Sequence, residues 1–195
     1  MIIVTIVTFM GPFVILLPQI RRIITKRTVE GLDLRGLQMG TTCTLGWLIY
    51  GVLNDLPLVW VVNLAGLALL IWITRLFLVF STEIILKKHL RIPIIFSAFL
   101  LLVATQSIKP IGLICMVISF TSPLPQLRRA FKDLHLTGLS LLTYVNAIIV
   151  HIAWITYGLQ NTDPNIIYPN IYGMTIAITL FIRVIRSRRP SLSII

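Results

Sequence analysis

Two tryptophans and two asparagines recur at one spacing in this chain of 195 residues. An asparagine follows a tryptophan by 16 positions twice, first as Trp47 and Asn63 and again as Trp154 and Asn170. An indole face packs well against the C–H face of a ring, and an amide both donates and accepts hydrogen bonds. The two pairs therefore indicate a binding site for a neutral, polyhydroxylated ligand.

The polar turns that follow the tryptophans set the depth of this site. Asn54 with Asp55 forms one turn, and residues 161–164 form the other. At ~1.5 Å per helical residue, both tryptophans and both asparagines lie ~10 to 14 Å below these turns. A single membrane asparagine more often bonds a neighbouring helix, and a single tryptophan more often anchors at the interface. The matched set at one depth favours the shared site.

No other chemistry is indicated by the sequence. It contains no phosphate-binding glycine loop, nucleophile constellation or metal-ligand cluster, so we predict no enzyme, no cofactor and no metal site. Cys43 and Cys115 lie in apolar stretches without CxxC spacing, and we interpret both as buried small hydrophobic residues. We interpret His151, the one titratable group near the predicted site, as a hydrogen-bonded packing residue rather than a proton relay.

The elements that must position these residues are membrane helices. Hydrophobic residues make up 57% of the chain and charged residues 12%, which excludes a water-soluble globule. Seven charge-free intervals each approach the ~20 residues that cross a bilayer. They are 1–20, 36–54, 56–74, 92–108, 110–127, 134–162 and 164–182. We therefore predict an all-α membrane protein with seven transmembrane helices.

The basic residues set the orientation of these helices. The net charge is +11, but 16 of the 17 Lys and Arg residues fall in alternate connections, and only Lys109 lies on the other side. A nucleic-acid partner is excluded, because its binders gather such charge on one water-facing surface. The positive-inside rule predicts an external N-terminus and a cytoplasmic C-terminus. The basic cytoplasmic connections favour the cell membrane.

One half of the chain repeats the other. A constant shift of 107 residues gives 15 identities over positions 17–66, including Trp, Pro, Tyr and Asn. Each copy spans three helices, so the interval 92–108, which belongs to neither copy, returns the chain to the starting side. We predict two parallel three-helix bundles joined by a linker helix. The predicted segments are 1–81 (first triple-helix repeat), 82–108 (linker with the fourth transmembrane helix), 109–187 (second repeat) and 188–195 (cytoplasmic tail).

Pro18 and Pro125 occupy equivalent positions near the inner ends of the first and fifth spans. Each removes an amide donor and clashes with the carbonyl four residues back, so a bend is expected in each copy. Gln19 and Gln126 follow them and are candidates to bond the freed carbonyls. We predict a hinge at both places, with a static kink as the alternative.

The doubled Pro-Gln dipeptides and the repeated Trp-x-x-Tyr-Gly…Pro…Asn pattern resemble the SWEET sugar transporters, and each half resembles a bacterial SemiSWEET. The resemblance implies facilitated bidirectional diffusion, or uniport, of mono- or disaccharides by alternating access. It assigns the Trp and Asn pairs to the pocket and the prolines to hinges. It further implies an outer gate closed by hydrogen bonds, formed by Tyr50, Asp55, Tyr157 and Asp163.

Two other functions fit the same helix plan. One is proton-coupled transport of amino acids, as in lysosomal PQ-loop carriers. The other is a sorting receptor like the KDEL receptor, which uses charged residues in its cavity, whereas no charged residue lies deep within a span here. The sequence leaves open which sugar is carried and whether the protein forms a homo-oligomer.

Overall fold

Helices account for nearly all of the chain that the structure describes. The computed structural model describes residues 1–29, 34–80, 95–96, 98–103, 105, 107, 109–121, 123–124, 127–128, 131 and 141–188. Its helices are α1 (Ile2–Lys26), α2 (Leu34–Leu53), α3 (Pro57–Phe80), α4 (helical residues 95–96, 98–103 and 105), α5 (Lys109–Thr121), α6 (Leu141–Gln160) and α7 (Pro164–Arg188). Further helical residues follow α5 at 124, 127, 128 and 131.

The composition of these helices suits a bilayer. Among the described residues, four helices are long and apolar enough to cross a membrane, namely α1, α3, α6 and α7. Helix α2 has the length, at 20 residues, but its four glycines and three threonines make it less apolar. Leu64 and Val79 of α3 are 51% and 72% exposed, as expected for side chains that face lipid.

Each set of three helices packs in the same order. Helix α3 lies between α1 and α2, and α7 lies between α5 and α6. The two sets meet where α1 packs on α6 and where α2 packs on α5. Six helices thus form a closed ring of two three-helix bundles, in which the third helix of each repeat is the middle one. The predicted all-α architecture of two bundles and a linker helix is confirmed.

The turns after α2 and α6 reproduce the repeat to the level of single hydrogen bonds. In each turn, a backbone N–H donates to the carbonyl five residues earlier, which lies in the last turn of the helix. These bonds are from Leu56 to Gly51 and from Asp163 to Gly158, both at 2.9 Å. Asp55 and Thr162, the residues before these donors, have left-handed backbone with φ of 51° and 49°. These are the features of a Schellman helix end.

We call the end of the ring that holds these two turns the turn side, and the opposite end the basic side. One buried apolar cluster, the turn-side cluster, includes residues from both bundles and from α4; it consists of Tyr50, Val59, Leu100, Ile111, Cys115 and Ile166. Leu100 of α4 is completely buried in it. The two bundles therefore share one core on the turn side.

On the basic side each bundle has its own core. The first packs α1 on α3 through Ile20, Ile23, Leu69 and Ile73, and the second packs α6 on α7 through Tyr144, Ile176, Leu180 and Val184. The shift of 107 residues superposes Leu69 and Ile73 on Ile176 and Leu180. Because these two cores are separate, the bundles leave space between them on the basic side.

The predicted segment boundaries stay predictions. Residues 81–94 and 108 and the tail from 189 onward lie outside the described part of the chain.

The left-handed residues of the two turns differ in how well they suit that conformation. A β-branched residue in this region is strained by about 1 kcal/mol or more, whereas aspartate tolerates it better. We expect Thr162→Gly to raise the midpoint of thermal unfolding in detergent, and Asp55→Gly to raise it less. An equal or larger gain for Asp55→Gly would contradict this account of the turn.

Candidate functional site

A cavity of about 460 Å³ lies between the two bundles, on the basic side of the turn-side cluster. Its size falls within the ~300 to 1,000 Å³ that is usual for small-molecule sites. Each of the six ring helices contributes to its wall. The lining residues are Pro12, Ile15, Cys43, Trp47, Val59, Val62, Asn63, Ser119, Pro123, Thr143, Tyr144, Ala147, Val150, His151, Trp154, Ile166, Pro169, Asn170, Gly173, Ile176, Ala177 and Leu180. None of these carries a formal charge at neutral pH.

The cavity extends over much of the membrane thickness. Along α7 it runs from Ile166, two residues after the helix begins, to Leu180, which is ~24 Å from that beginning. On the basic side it reaches Pro123, just after α5 ends, and Thr143, just after α6 begins. On the turn side the buried Val59 and Ile166 end it. The lining is thus exposed at the basic end, at Thr143, and buried at the turn end, at Val59 and Ile166.

The four residues predicted to form the pocket all line this cavity. The amide nitrogens of Asn63 and Asn170 donate to the carbonyls four residues back, those of Val59 and Ile166, at 2.8 Å each. These bonds hold both amides in the same rotamer in the two repeats. The amide oxygens are left to accept other hydrogen bonds.

The two tryptophans have matching neighbours but different hydrogen bonds. Trp47 packs edge-on against Tyr50 with ring centroids 5.4 Å apart, and Trp154 packs edge-on against Tyr157 at 5.7 Å. The indole N–H of Trp47 donates to Oγ of Ser119 at 2.9 Å, which joins α2 to α5. The indole N–H of Trp154 has no partner among the described residues. The two indoles therefore offer a ligand different hydrogen-bonding capacity.

Ser119 is the centre of a polar contact between the two bundles. Its hydroxyl donates to the carbonyl of Cys115 at 2.9 Å and lies 3.4 Å from Sγ of Cys43. Cys115 is buried, as predicted, but Cys43 lies in the cavity wall. Among the residues that the structure describes, no cluster of His, Cys, Asp and Glu could hold a metal ion.

His151 also lies in the cavity wall. Its Nδ1 atom is 2.8 Å from Oδ1 of Asn170. The residue is therefore hydrogen-bonded, as the sequence predicts, but to one of the four predicted pocket residues.

Two of the four predicted gate residues are brought together on the turn side. The hydroxyl of Tyr50 donates to Oδ2 of Asp163 at 2.6 Å, and the amide of Asn165 donates to the same hydroxyl at 3.3 Å. Oδ1 of Asp163 accepts the backbone N–H of Asn165 at 3.0 Å, so the carboxylate also caps the start of α7. This set, which we call the latch, links α2 of one bundle to α7 of the other.

The other two predicted gate residues do not form an equivalent pair. Asp55 is exposed at the turn, and Tyr157 has no hydroxyl partner among the described residues. The repeat explains the difference, because the shift of 107 residues places Leu56, not Asp55, at the position of Asp163. The first bundle therefore has no carboxylate where Tyr157 would need one.

The predicted hinge residues lie away from the cavity where the structure describes them. Helix α1 continues through Pro18, which is exposed, and the Gln19 side chain has no hydrogen bond within the described part of the chain. Pro125 and Gln126 lie outside the described residues. Pro12 of α1 and Pro169 of α7, two other prolines inside helices, line the cavity instead.

Sequence reasoning missed Cys43, Ser119 and Asn165. Cys43 precedes Trp47 by four residues, so the spacing of one helix face could have found it. Asn165 belongs to the polar sequence that begins α7. No sequence pattern indicated Ser119, because the equivalent residue of the first repeat is Pro12.

The sequence matches the profile of a known family over both halves of the ring. Residues 1–84 and 106–186 match the family described as sugar efflux transporters for intercellular exchange. The chain belongs to this family. The unmatched interval, 85–105, contains the described residues of α4, as expected for a helix outside the repeat.

Named relatives and a solved structure agree with the family assignment. The sugar transporter SWEET1 of Xenopus tropicalis is 24% identical over 190 residues, which cover 90% of this chain and 87% of that protein. The sugar transporter SWEET1 of Rattus norvegicus is 26% identical over 187 residues, covering 90% and 83%. The structure of a eukaryotic SWEET transporter matches with a TM-score of 0.72 at 16% identity, covering 95% of this chain and 98% of that one. The family fold thus extends over nearly the whole chain.

The positions of the two cysteines predict unequal reactivity. Cys43 lies in the cavity wall, whereas Cys115 is 1% exposed in the turn-side cluster. We expect N-ethylmaleimide to modify Cys43 of the detergent-purified protein at least about tenfold faster than Cys115, because only an accessible thiol reacts. Peptide mass spectrometry of the wild type, with Cys43→Ser and Cys115→Ser as controls, measures the two rates. Faster modification of Cys115 would show that the cavity is not where the structure places it.

Proposed function

We propose that this protein is a sugar uniporter, which carries mono- or disaccharides in both directions by alternating access. The observation that supports this most is the uncharged cavity between the two bundles, lined by both tryptophans and both asparagines, with exposed lining on the basic side and buried lining on the turn side. Membership of a family described as sugar efflux transporters, with relatives named sugar transporters, supports the ligand class.

The cavity wall suits a sugar better than an ion. Indole faces of Trp47 and Trp154 pack against the C–H faces of a pyranose or furanose ring. The amide oxygen of Asn63 and the indole N–H of Trp154 supply one acceptor and one donor that no described protein group uses. A hydroxyl both donates and accepts, so such a pair binds it well.

The absence of charge from the described cavity wall argues against coupling and against charged ligands. A zwitterionic amino acid or a peptide carboxylate would need a partner of opposite charge in so apolar a site. The described lining residues contain none. A neutral solute that moves down its own concentration gradient needs neither a counter-charge nor a coupled proton.

The latch and the shared turn-side cluster support the alternating mechanism. They join the bundles on the turn side, while the separate cores on the basic side leave the cavity walls apart. In the proposed cycle the bundles rock as units, the latch breaks, and the basic side closes. The prolines inside α1 and α7 are places where such motion bends a helix, because each leaves a carbonyl without its donor. We keep Pro18 as a proposed hinge residue and add Pro12 and Pro169 as two further proposed hinges.

The orientation follows from the charges. With the basic connections in the cytoplasm of a multi-pass cell-membrane protein, the turn side faces outward and the cavity of this structure reaches the cytoplasmic side. Lipid is then the partner of the exposed apolar surface of the ring.

Uptake into proteoliposomes tests the proposed site. We expect labelled glucose or sucrose to enter with the wild type, and Trp154→Ala or Asn170→Ala to reduce the rate by about tenfold or more, because each removes contacts to the ligand. Trp72→Ala is the matched control, since Trp72 is 45% exposed on the lipid side of α3.

Flux of neither sugar in the wild type would contradict the proposal. Uptake that an imposed pH gradient accelerates would favour the amino-acid carrier. Binding of a short peptide without flux would favour the sorting receptor.

Labelling from each side of the membrane tests the latch. In oriented vesicles of wild type, we expect a membrane-impermeant thiol reagent to reach Cys43 from the basic side in preference to the turn side. Tyr50→Phe removes the hydroxyl shared by Asp163 and Asn165, so labelling from the turn side is expected to rise at least about threefold. Tyr157→Phe is the matched control, because its hydroxyl has no partner among the described residues. An equal rise in both variants would contradict the single latch.

A further inference from the structure

His151 breaks the repeat inside the cavity. The shift of 107 residues places Thr44 at its position in the first bundle, so only one half carries an imidazole there. The ring lies against Gly173 of α7, where a Cβ atom would overlap it. At the equivalent Gly66, an added Cβ would meet Pro12 and Thr44 at ordinary contact distances of 3.6 to 3.7 Å. In the second bundle Gly173 thus leaves space for the His151 ring, and the first bundle has no ring at the equivalent place.

The hydrogen bonds around this ring fix its tautomer. The amide nitrogen of Asn170 is used in its bond to the carbonyl of Ile166, which turns the amide oxygen toward Nδ1 of His151. An amide oxygen only accepts, so Nδ1 carries the proton in this contact. In the neutral imidazole the other nitrogen, Nε2, is then an acceptor.

The Nε2 atom is accessible from the cavity. No described residue hydrogen-bonds to it, because the hydrogen bond of the ring within the described part of the chain is the one from Nδ1 to Asn170. In the described part of the chain the only fully buried side-chain nitrogen or oxygen without a partner is Oγ1 of Thr42. Because Nε2 has no described partner and is not among the fully buried atoms, it is accessible to solvent. It adds a second free acceptor to the wall, on the bundle opposite Asn63.

No charged group faces this imidazole. Helices α1 and α7 pack on α6, and the described residues that they contribute to the cavity wall have no titratable side chain. The other titratable groups in the described wall, Cys43 of α2 and Tyr144 of α6 itself, are neutral near neutral pH. Asp163 lies at the turn, ~10 Å or more along the helix, and is engaged by Tyr50. A proton on Nε2 would therefore produce a charge that only cavity water stabilises.

We propose that His151 is a ligand-binding residue whose Nε2 atom accepts a hydrogen bond from a sugar hydroxyl, and that a proton competes with the sugar for this atom. The inference rests on the proposed transport of sugar through this cavity. A bound sugar displaces the water that solvates an imidazolium, and the charge then has no partner of opposite charge in the described wall. Acidification thus weakens sugar binding without coupling transport to a proton gradient.

Equilibrium exchange of labelled sugar in proteoliposomes tests this proposal, with the same pH on both sides so that no gradient drives flux. Between about pH 7.5 and about pH 4.5, a range that spans the protonation of an imidazole whose charge has no protein partner, the wild-type KM is expected to rise and the maximal rate to change less. Loss of one hydrogen bond predicts a rise of about three- to tenfold.

Two substitutions distinguish the roles of Nδ1 and Nε2 of His151. His151→Gln places an amide oxygen near the position of Nε2 and cannot be protonated, so we expect a low KM that does not vary with pH. His151→Asn keeps a donor for Asn170 but loses the cavity acceptor, so its KM is expected to be about three- to tenfold higher at both pH values. Gly40→Ala, where an added Cβ meets nothing within 4 Å, is expected to keep the pH dependence of the wild type.

A wild-type KM that is flat with pH, or a pH dependence that persists in His151→Gln, would overturn the proposal. A measurement on the unaltered protein gives a second test. Calorimetric titration with sugar at about pH 4.5, where the free ring is protonated, in buffers of different ionisation enthalpy is expected to show proton release on binding, because the sugar selects the neutral ring. Binding without proton release would also overturn it. A wild type that neither binds nor carries sugar at any pH would instead refute the proposed function.

Discussion

The contact on which the form of the cavity most depends is the hydrogen bond from the Tyr50 hydroxyl to the Asp163 carboxylate. It joins α2 of one bundle to the start of α7 in the other, above a cluster that both bundles share. Among the described residues, no second bond of this type joins Tyr157 of the second bundle to Asp55 of the first. One short charge-assisted bond thus adds to apolar packing that is weak between lipid-exposed helices. In the proposed cycle, such a contact is strong enough to bias one state of the ring and weak enough to break.

The position of this bond follows from a small irregularity in an otherwise faithful repeat. Both turns have a left-handed residue at the same position, Asp55 in one and Thr162 in the other, and the same backbone bonds. The two tryptophans, tyrosines and asparagines also adopt the same local contacts in both halves. The residue just before the next helix, however, is Leu56 in one half and Asp163 in the other, and only Asp163 caps the helix with its side chain. Two-fold symmetry of the backbone is therefore combined with asymmetric polar chemistry at the turn, at Ser119 and at His151.

The symmetric part of the molecule could be predicted from the sequence, and most of the asymmetric part could not. Charge-free intervals predicted the helices and the repeat predicted the 3+1+3 plan. Residue spacing grouped four residues that all line the cavity, namely Trp47, Asn63, Trp154 and Asn170. These depend on helix geometry, which is local. The bond from Trp47 to Ser119 depends instead on how α2 meets α5, and the repeat places a proline at the matching position. Contacts that differ between two copies of a repeat cannot be inferred from what the copies share.

The asymmetry bears on how the proposed sugar would be held in a nearly symmetric cavity. In the first bundle the indole N–H of Trp47 is used by Ser119, and in the second the amide oxygen of Asn170 is used by His151. Among the paired tryptophans and asparagines, the groups left without a described partner are the oxygen of Asn63 and the N–H of Trp154. The indole of Trp47 therefore offers a ligand aromatic contact without a hydrogen bond, whereas the indole of Trp154 offers both aromatic contact and a hydrogen-bond donor. A ligand that presents a C–H face to one wall and a hydroxyl to the other is oriented by this difference, whereas two identical walls would bind it in two equivalent orientations.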